Sequence, residues 1–316
     1  MNFKAGGQIG SHILAALLKS GKQSVTVIQR PDSTNTLPEG TNITSIDYYN
    51  EKTALVNALK GHQFLVVTMS VSAPQDMITK LIHAAAEAQV DYILPNWYGQ
   101  DPEDVSLRED TMLLASFFEN IQKESKAAGI PYVLLGCNFW YEFSLGGGPN
   151  RYGFDFKKKT LTLFDKGEKR LQTTTWPQCG RAIAQLLSLP MLPQDERDQS
   201  ANLSQFANKA VYVSSFNVSQ KEMFESAKRV TNTTDADWTI THETSDVRFK
   251  ESLELVQKHD FSAFTKLLYS RVWLGVERDV EMKGPLHNEI LGLPVEDLDE
   301  ATAVAVKMDY NGDVPH

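Results

Sequence analysis

Gly7 and Gly10 stand three residues apart at the head of a helical pattern, and Arg30 follows twenty residues later at the end of an apolar run. Glycines in that spacing match the last two of a dinucleotide fingerprint, where the missing side chains let the backbone approach a pyrophosphate. The amides that open a helix supply unpaired N–H groups and a partial positive charge, so a diphosphate is stabilised there without a cationic side chain. Gly7, Gln8, Ile9 and Gly10 are therefore the candidate cofactor-binding backbone. At the place of Arg30 an NAD-binding chain usually carries Asp or Glu against the ribose hydroxyls; a guanidinium there favours a 2′-phosphate, hence NADP(H). Taken singly, these features read as a loop before a helix and a solvated arginine at a strand end; together they argue for a cofactor site. Lys4 stands where the first glycine of the fingerprint belongs, and only Met1, Asn2 and Phe3 precede it, so the first strand is expected to be missing or a stub.

Two later segments are placed to complete such a site. Met69 and Ser70, in Met69-Ser-Val-Ser-Ala-Pro74, fall at the end of the next apolar run, where the nicotinamide half of the cofactor passes. After the run beyond that, Pro95-Asn-Trp-Tyr-Gly99 offers Asn96 and Tyr98 as hydrogen-bonding groups and Trp97 as an aromatic wall for a substrate. Tyr48 and Lys52 have the four-residue spacing of a short-chain dehydrogenase proton donor. They lie between the second strand and its helix, away from the nicotinamide position, and the spacing reads as coincidence. HExxH, Gly-x-Ser-x-Gly and clustered His/Cys ligands do not occur, which argues against zinc and serine hydrolysis.

Composition narrows the field further. The formal charge is −9 with carboxylates spread along the chain, so no basic face is expected to neutralise nucleic acid. Two cysteines, Cys137 and Cys179, make no disulfide framework and suit a reducing compartment. No apolar run reaches the roughly 18–20 residues of a membrane span, and the N-terminus lacks a signal-peptide pattern, so the expected location is cytoplasmic.

The elements that must position these residues alternate short apolar runs with helical stretches. This pattern predicts an α/β fold, a doubly wound parallel (Rossmann) sheet with helices on both faces. Strands are expected at Ser24–Ile28, Phe64–Met69, Tyr92–Leu94, Tyr132–Leu135 and Ala210–Ser214. Helices are expected from Gly10 to Ser20, Glu51 to Lys60, Gln75 to Ala88, Asp110 to Ala128 and Pro177 to Ser188, with another opened by the capping box Ser219-Gln-Lys-Glu222. Thr160 to Glu168 reads as hairpin-like. The division expected is a cofactor domain over 1–155 and an intertwined, smaller α/β C-terminal lobe over 156–316 that covers substrate.

Six segments give the chain a resemblance to the NmrA-like, isoflavone-reductase-like group of atypical short-chain dehydrogenases, in particular its fungal CipA type. They are Ala5-Gly-Gly-Gln-Ile-Gly10, Leu94-Pro-Asn-Trp-Tyr-Gly99, Phe139-Trp-Tyr-Glu-Phe-Ser-Leu145, Gly147-Gly-Pro-Asn-Arg-Tyr-Gly-Phe-Asp-Phe156, Thr174-Thr-Trp-Pro-Gln-Cys-Gly-Arg181 and Leu298-Asp-Glu-Ala-Thr302. The resemblance implies NADP(H), a small phenolic or polyketide-like substrate between the two parts, and reduction as the reaction. It also implies a catalytic lysine on the helix before Ile130-Pro-Tyr132, where this chain has Phe118. Lys123 and Lys126 lie further along that helix, and Lys123 is carried as a candidate catalytic group. Trp140, Tyr141 and Tyr152 match the family's segments as pocket residues, with Tyr141 as the alternative proton donor. Three functional readings stay open: a reductase of a small metabolite, an NADP(H)-responsive regulator working through protein partners, and a truncated chain that binds weakly. Whether the chain acts alone, with a protein partner or as a homo-oligomer is also open at this level.

Overall fold

The computed structural model describes every residue except 1, 4–6, 71, 72, 75, 275–283, 315 and 316. Lys4, Ala5 and Gly6, and Val71 and Ser72 of the loop expected beside the nicotinamide, lie outside the described residues.

Five short strands follow one another, β1 (Asn2–Phe3), β2 (Thr26–Gln29), β3 (Asn42–Ser45), β4 (Phe64–Val67) and β5 (Tyr92–Leu94), with β2, β4 and β5 rich in valine, isoleucine and leucine. They make one sheet in the order β3-β2-β1-β4-β5, and every pair is parallel. The expected stub is a two-residue strand at the centre of this sheet, with Phe3 opposite Ile28 and Val67. A bridge from Ile93 to Tyr132 carries the sheet on to β6 (Tyr98–Gly99), β7 (Val133–Gly136) and β12 (Lys209–Tyr212), again all parallel. Residues well beyond 155 thus return to finish the parallel sheet.

Parallel crossovers require helices on both faces. On one face, α1 (Gln8–Ser20) and α7 (Trp176–Leu186) bury Ile13, Leu14, Leu17, Ile183 and Leu186 against Val27, Val66 and Leu135. On the other, α2 (Lys52–Leu59), α3 (Met77–Glu87) and α5 (Met112–Ala128) cover Ile28, Leu65, Val67 and Leu134. Adjacent strand residues such as Val27 and Ile28 therefore serve opposite cores, as the two-residue strand period demands. Gly21 ends α1 and Gly129 ends α5 in the left-handed conformation, φ 63° and 70°. The short α4 (Val105–Asp110), capped by the Asp104 carboxylate accepting from the Ser106 amide, precedes α5 and has no counterpart in the sequence reading.

The C-terminal lobe holds two three-stranded sheets. One joins β8 (Phe139–Trp140), β11 (Arg170–Thr174) and β13 (Phe216–Ser219); the other joins β9 (Phe154–Asp155), β10 (Thr160–Phe164) and β14 (Thr239–Glu243). The hairpin expectation is corrected here: β10 and β11 flank a tight turn but pair in different sheets, β10 with β9 and β14 and β11 with β13 and β8. Helices α6 (Tyr141–Leu145), α8 (Gln220–Thr231), α9 (Ser245–Gln257), α10 (Phe264–Arg271) and α11 (Leu298–Asn311) complete the lobe. Its core gathers Tyr141, Tyr152, Phe154, Phe156, Met223 and Trp273. The capping box expected at Ser219 is present, with Glu222 accepting from the Ser219 amide at 2.9 Å.

Candidate functional site

Because all strands of the cofactor sheet are parallel, the loops after β1, β2, β4 and β5 open at one edge. At that edge Gly7 is the N-cap of α1, exposed and extended (φ −78°, ψ 171°), with its carbonyl accepting from the Ser11 amide at 2.8 Å. Amides of a first helical turn have no carbonyl four residues back. No acidic side chain occupies that turn, and its N-cap, a glycine, has no side chain to cap it. Gln8 is exposed, whereas Ile9 and Gly10 face the core. This is a geometry that accepts an anion at the backbone.

Arg30 follows β2 at the same edge. Its Nε lies 3.4 Å from an Asp32 carboxylate oxygen, and its guanidinium sits 5.9 Å from the centre of the Tyr49 ring. Tyr49 leans on Tyr48, ring centres 4.9 Å apart. Burial pushes the Tyr48 phenol up to about 12, with the neighbouring Tyr49 adding and Arg30 opposing. Lys52, the other half of the dehydrogenase-like spacing, pairs instead with Glu87 at 2.8 Å.

Met69 and Ser70 continue from β4, and the Asn96 side-chain amide donates to the Met69 carbonyl at 3.0 Å, tying together the loops after β4 and β5. Their neighbours have a different role from the one expected. Trp97 is buried, donates from Nε1 to the Gln100 carbonyl at 2.9 Å and packs on Phe117 and Phe118, ring centres 6.4 and 5.7 Å away. Tyr98 is also buried and donates to the Val67 carbonyl at 2.8 Å, its phenol raised above the ordinary range by burial. Both side chains are packed into the scaffold beneath these loops.

The two expected proton donors, Tyr141 and Lys123, stand apart from the cofactor loops. Tyr141 has no exposed surface, and its hydroxyl is engaged with Thr302 at 2.7 Å inside the lobe core, with burial raising the phenol. Lys123 projects from the last turns of α5, its side chain 79% exposed beside Glu124 at 3.2 Å. Since α5 runs back against the parallel strands, its last turns lie at the edge opposite the cofactor loops. Lys126, one turn on, lines a groove of about 460 Å³ with Ile130, Tyr132 and Asn208, where β7 and β12 begin. Phe118, where the family's lysine belongs, is buried beside Trp97. Tyr152 is sealed too, donating to the Thr173 hydroxyl at 3.0 Å.

Trp140 alone among the expected pocket aromatics keeps an accessible edge. It meets Phe143 and Trp176 with ring centres 5.9 and 5.8 Å away, and Trp176 stacks on His12 of α1 at 5.7 Å and 26°. An aromatic wall thus grows directly from α1. Behind it lies a group that the sequence reading passed over. Glu142 is 3% exposed, and its carboxylate accepts from the Trp176 amide at 3.2 Å. Burial raises this acid to about 7; Glu296 adds to the rise and Arg181 opposes it. Glu296 in turn accepts from Thr175 at 2.9 Å and from Arg181 and Ser215. The available signal was one acid within the apolar run Phe139 to Leu145. His12, lowered by burial and by Arg181, had no sequence signal at all.

Among the described residues no group of three or more His, Cys, Asp and Glu is placed to hold a metal ion, and no helix is long and apolar enough to cross a membrane. Residues 5–128 match a family model described as NAD(P)H-binding. The chain is 24% identical over 312 residues to the oxidoreductase aprR of Aspergillus flavus, covering 96% of this chain and 97% of the relative. Among solved structures, isoflavone reductase superposes with a TM-score of 0.72 at 18% identity, over 95% of this chain and 97% of that one. The NADPH-dependent quinone oxidoreductase of Escherichia coli, solved with NADPH, gives 0.64 at 18% identity over 96% and 98%. The chain therefore carries an NAD(P)H-binding domain over residues 5–128 and has, as a whole, the isoflavone-reductase-like Rossmann fold.

Proposed function

We propose that this chain is an NADPH-dependent reductase of a small phenolic or polyketide-like metabolite. The observation that carries the reading is the pairing, at one edge of one sheet, of an acid-free helix N-terminus at Gly7 with a guanidinium at Arg30. The amides of Gln8 and Ile9 would receive the diphosphate and Arg30 the 2′-phosphate. Met69, Ser70 and Asn96 would border the nicotinamide, and Trp140, Phe143 and Trp176 a flat substrate. NADPH, when bound, supplies the hydride. Relatives described as oxidoreductases and reductases support the reaction class. The functional division proposed assigns the cofactor to the first sheet and its helices, to which α7 and β12 return, and substrate cover to the lobe that begins at β8; the two free, buried thiols suit a cytoplasmic setting.

Titration with NADPH and NADH, read by energy transfer from the tryptophans, tests this reading. Selective NADPH binding that weakens about tenfold or more in Arg30→Ala is expected, since charge-assisted bonds of this kind contribute roughly 1.5–3 kcal/mol. Binding of neither nucleotide would remove the reductase reading.

One observation favours a second reading, an NADP(H)-responsive regulator without turnover. Tyr141 is sealed and Lys123 lies at the far edge, so neither expected donor meets the cofactor loops. NADPH oxidation by a panel of phenolic, enone and quinone compounds separates the two readings: turnover supports the reductase, and tight binding with no turnover supports the regulator.

A further inference from the structure

The end of β2 carries both signs of charge. Arg30 to Ser33 is a turn closed by the Ser33 amide donating to the Arg30 carbonyl at 3.1 Å, with Pro31 fixing its first corner. The turn pins the backbone of Asp32, so its carboxylate stays near the Arg30 guanidinium, Nε to Oδ1 at 3.4 Å, although the Asp32 side chain is 71% exposed. Tyr49, held by its amide donating to Asp47 at 3.2 Å, stands on Arg30 as well. Any phosphate drawn to this guanidinium arrives beside a fixed carboxylate.

We infer that Asp32 is a coenzyme-specificity residue that competes with the 2′-phosphate for Arg30 and so restrains the preference for NADPH over NADH. The inference rests on the cofactor reading above. A 2′-phosphate carries close to two negative charges, and at the separation set by a shared guanidinium it is repelled by the carboxylate. NADH has a 2′-hydroxyl instead, which donates a hydrogen bond to a carboxylate and is not repelled. Loss of the Asp32 charge therefore tightens NADPH and leaves NADH unchanged or weaker.

The test is binding, not turnover: Kd for NADPH and NADH in the wild-type chain, Asp32→Asn and Asp32→Ser, at low and at physiological salt. Glu196→Gln, an exposed acid in the 189–199 loop, matches the change in net charge. Both Asp32 variants should raise the NADPH preference about fivefold, the magnitude of a solvent-exposed charge pair, with the gain shrinking as salt rises. Glu196→Gln should not change it. Equal shifts for both nucleotides, or none, in variants of a chain that binds NADPH would overturn the inference and leave the cofactor reading intact. A wild-type chain that binds neither nucleotide overturns both.

Discussion

Glu142 is a buried acid on the strand-to-helix segment behind the aromatic wall, and its ionisation has consequences for stability. Its carboxyl titrates near 7 in the folded chain, raised mainly by burial, against about 4.3 for an unperturbed glutamate. The folded state therefore binds the proton more tightly than the unfolded state. The contribution is fully present below about pH 4.3, is lost as pH rises through about 7 and is constant above. Glu142→Gln keeps an oxygen to accept from the Trp176 amide and removes the titration. We expect it to gain up to about 4 kcal/mol relative to wild type at pH 8, with no gain at pH 4. Urea midpoints at both pH values check this, and a pH-independent difference would mean that Glu142 is not the titrating group. The lowered histidines His12, His62 and His287 slope the opposite way in both proteins and cancel in the difference. At this scale the place of Arg30, directly after β2, was legible because it follows from strand counting. The burial of Tyr141, Tyr152 and Trp97 was not, because an aromatic side chain in an irregular stretch of sequence reads alike whether it lines a pocket or fills a core.

Elements were legible where apolar period and punctuation agreed. The ends of α1 and α5 fall at Gly21 and Gly129, and the capping box opens α8 at Ser219, as the residue types dictate. The two-residue strands β6, β8 and β9 carry no period of their own and exist only through their neighbours. The partners of β10 and β11 are likewise set by distant strands, so the turn between them misled the local reading. Gly180 shows a constraint that is tertiary in origin: in α7 it faces α1 so closely that a Cβ would lie 2.4 Å from the His12 carbonyl oxygen. Alanine favours a helix interior by about 1 kcal/mol over glycine, but here the opposing atom is backbone. Gly180→Ala should lose about 1–3 kcal/mol net, as for an overpacked core. Thermal or urea unfolding measures it; an unchanged midpoint would show that the two helices separate freely.

Across the whole molecule, the two lobes are joined by a buried ionic cluster that neither lobe contains alone. Arg271 of α10, with 1% of its side chain exposed, donates from Nη2 to Asp104 at 2.6 Å and to Ser106 at 2.5 Å, and from Nε to Asp110 at 3.1 Å. Burial would raise the Asp104 carboxyl, yet the hydrogen bond and charge of Arg271 hold it below the ordinary value. The same region is clamped a second time, where Tyr212 of β12 donates to Asp101 at 2.7 Å. These carboxylates follow β6 at the edge that carries the cofactor loops, so the clamp fixes the segment between the cofactor sheet and the C-terminal lobe. Removing one partner of a buried pair leaves the other charge uncompensated, which costs about 3–5 kcal/mol. Arg271→Met should therefore lose about that much stability, and replacing Asp104 and Asp110 by Asn and Leu in the same chain should restore part of it, because the stranded charges are then gone. If the lobes cooperate through this cluster, unfolding of Arg271→Met followed by tryptophan fluorescence and by far-ultraviolet dichroism will give two separate midpoints where the wild-type chain gives one. Coincident midpoints with a loss under about 1 kcal/mol would show that this cluster does not couple the lobes.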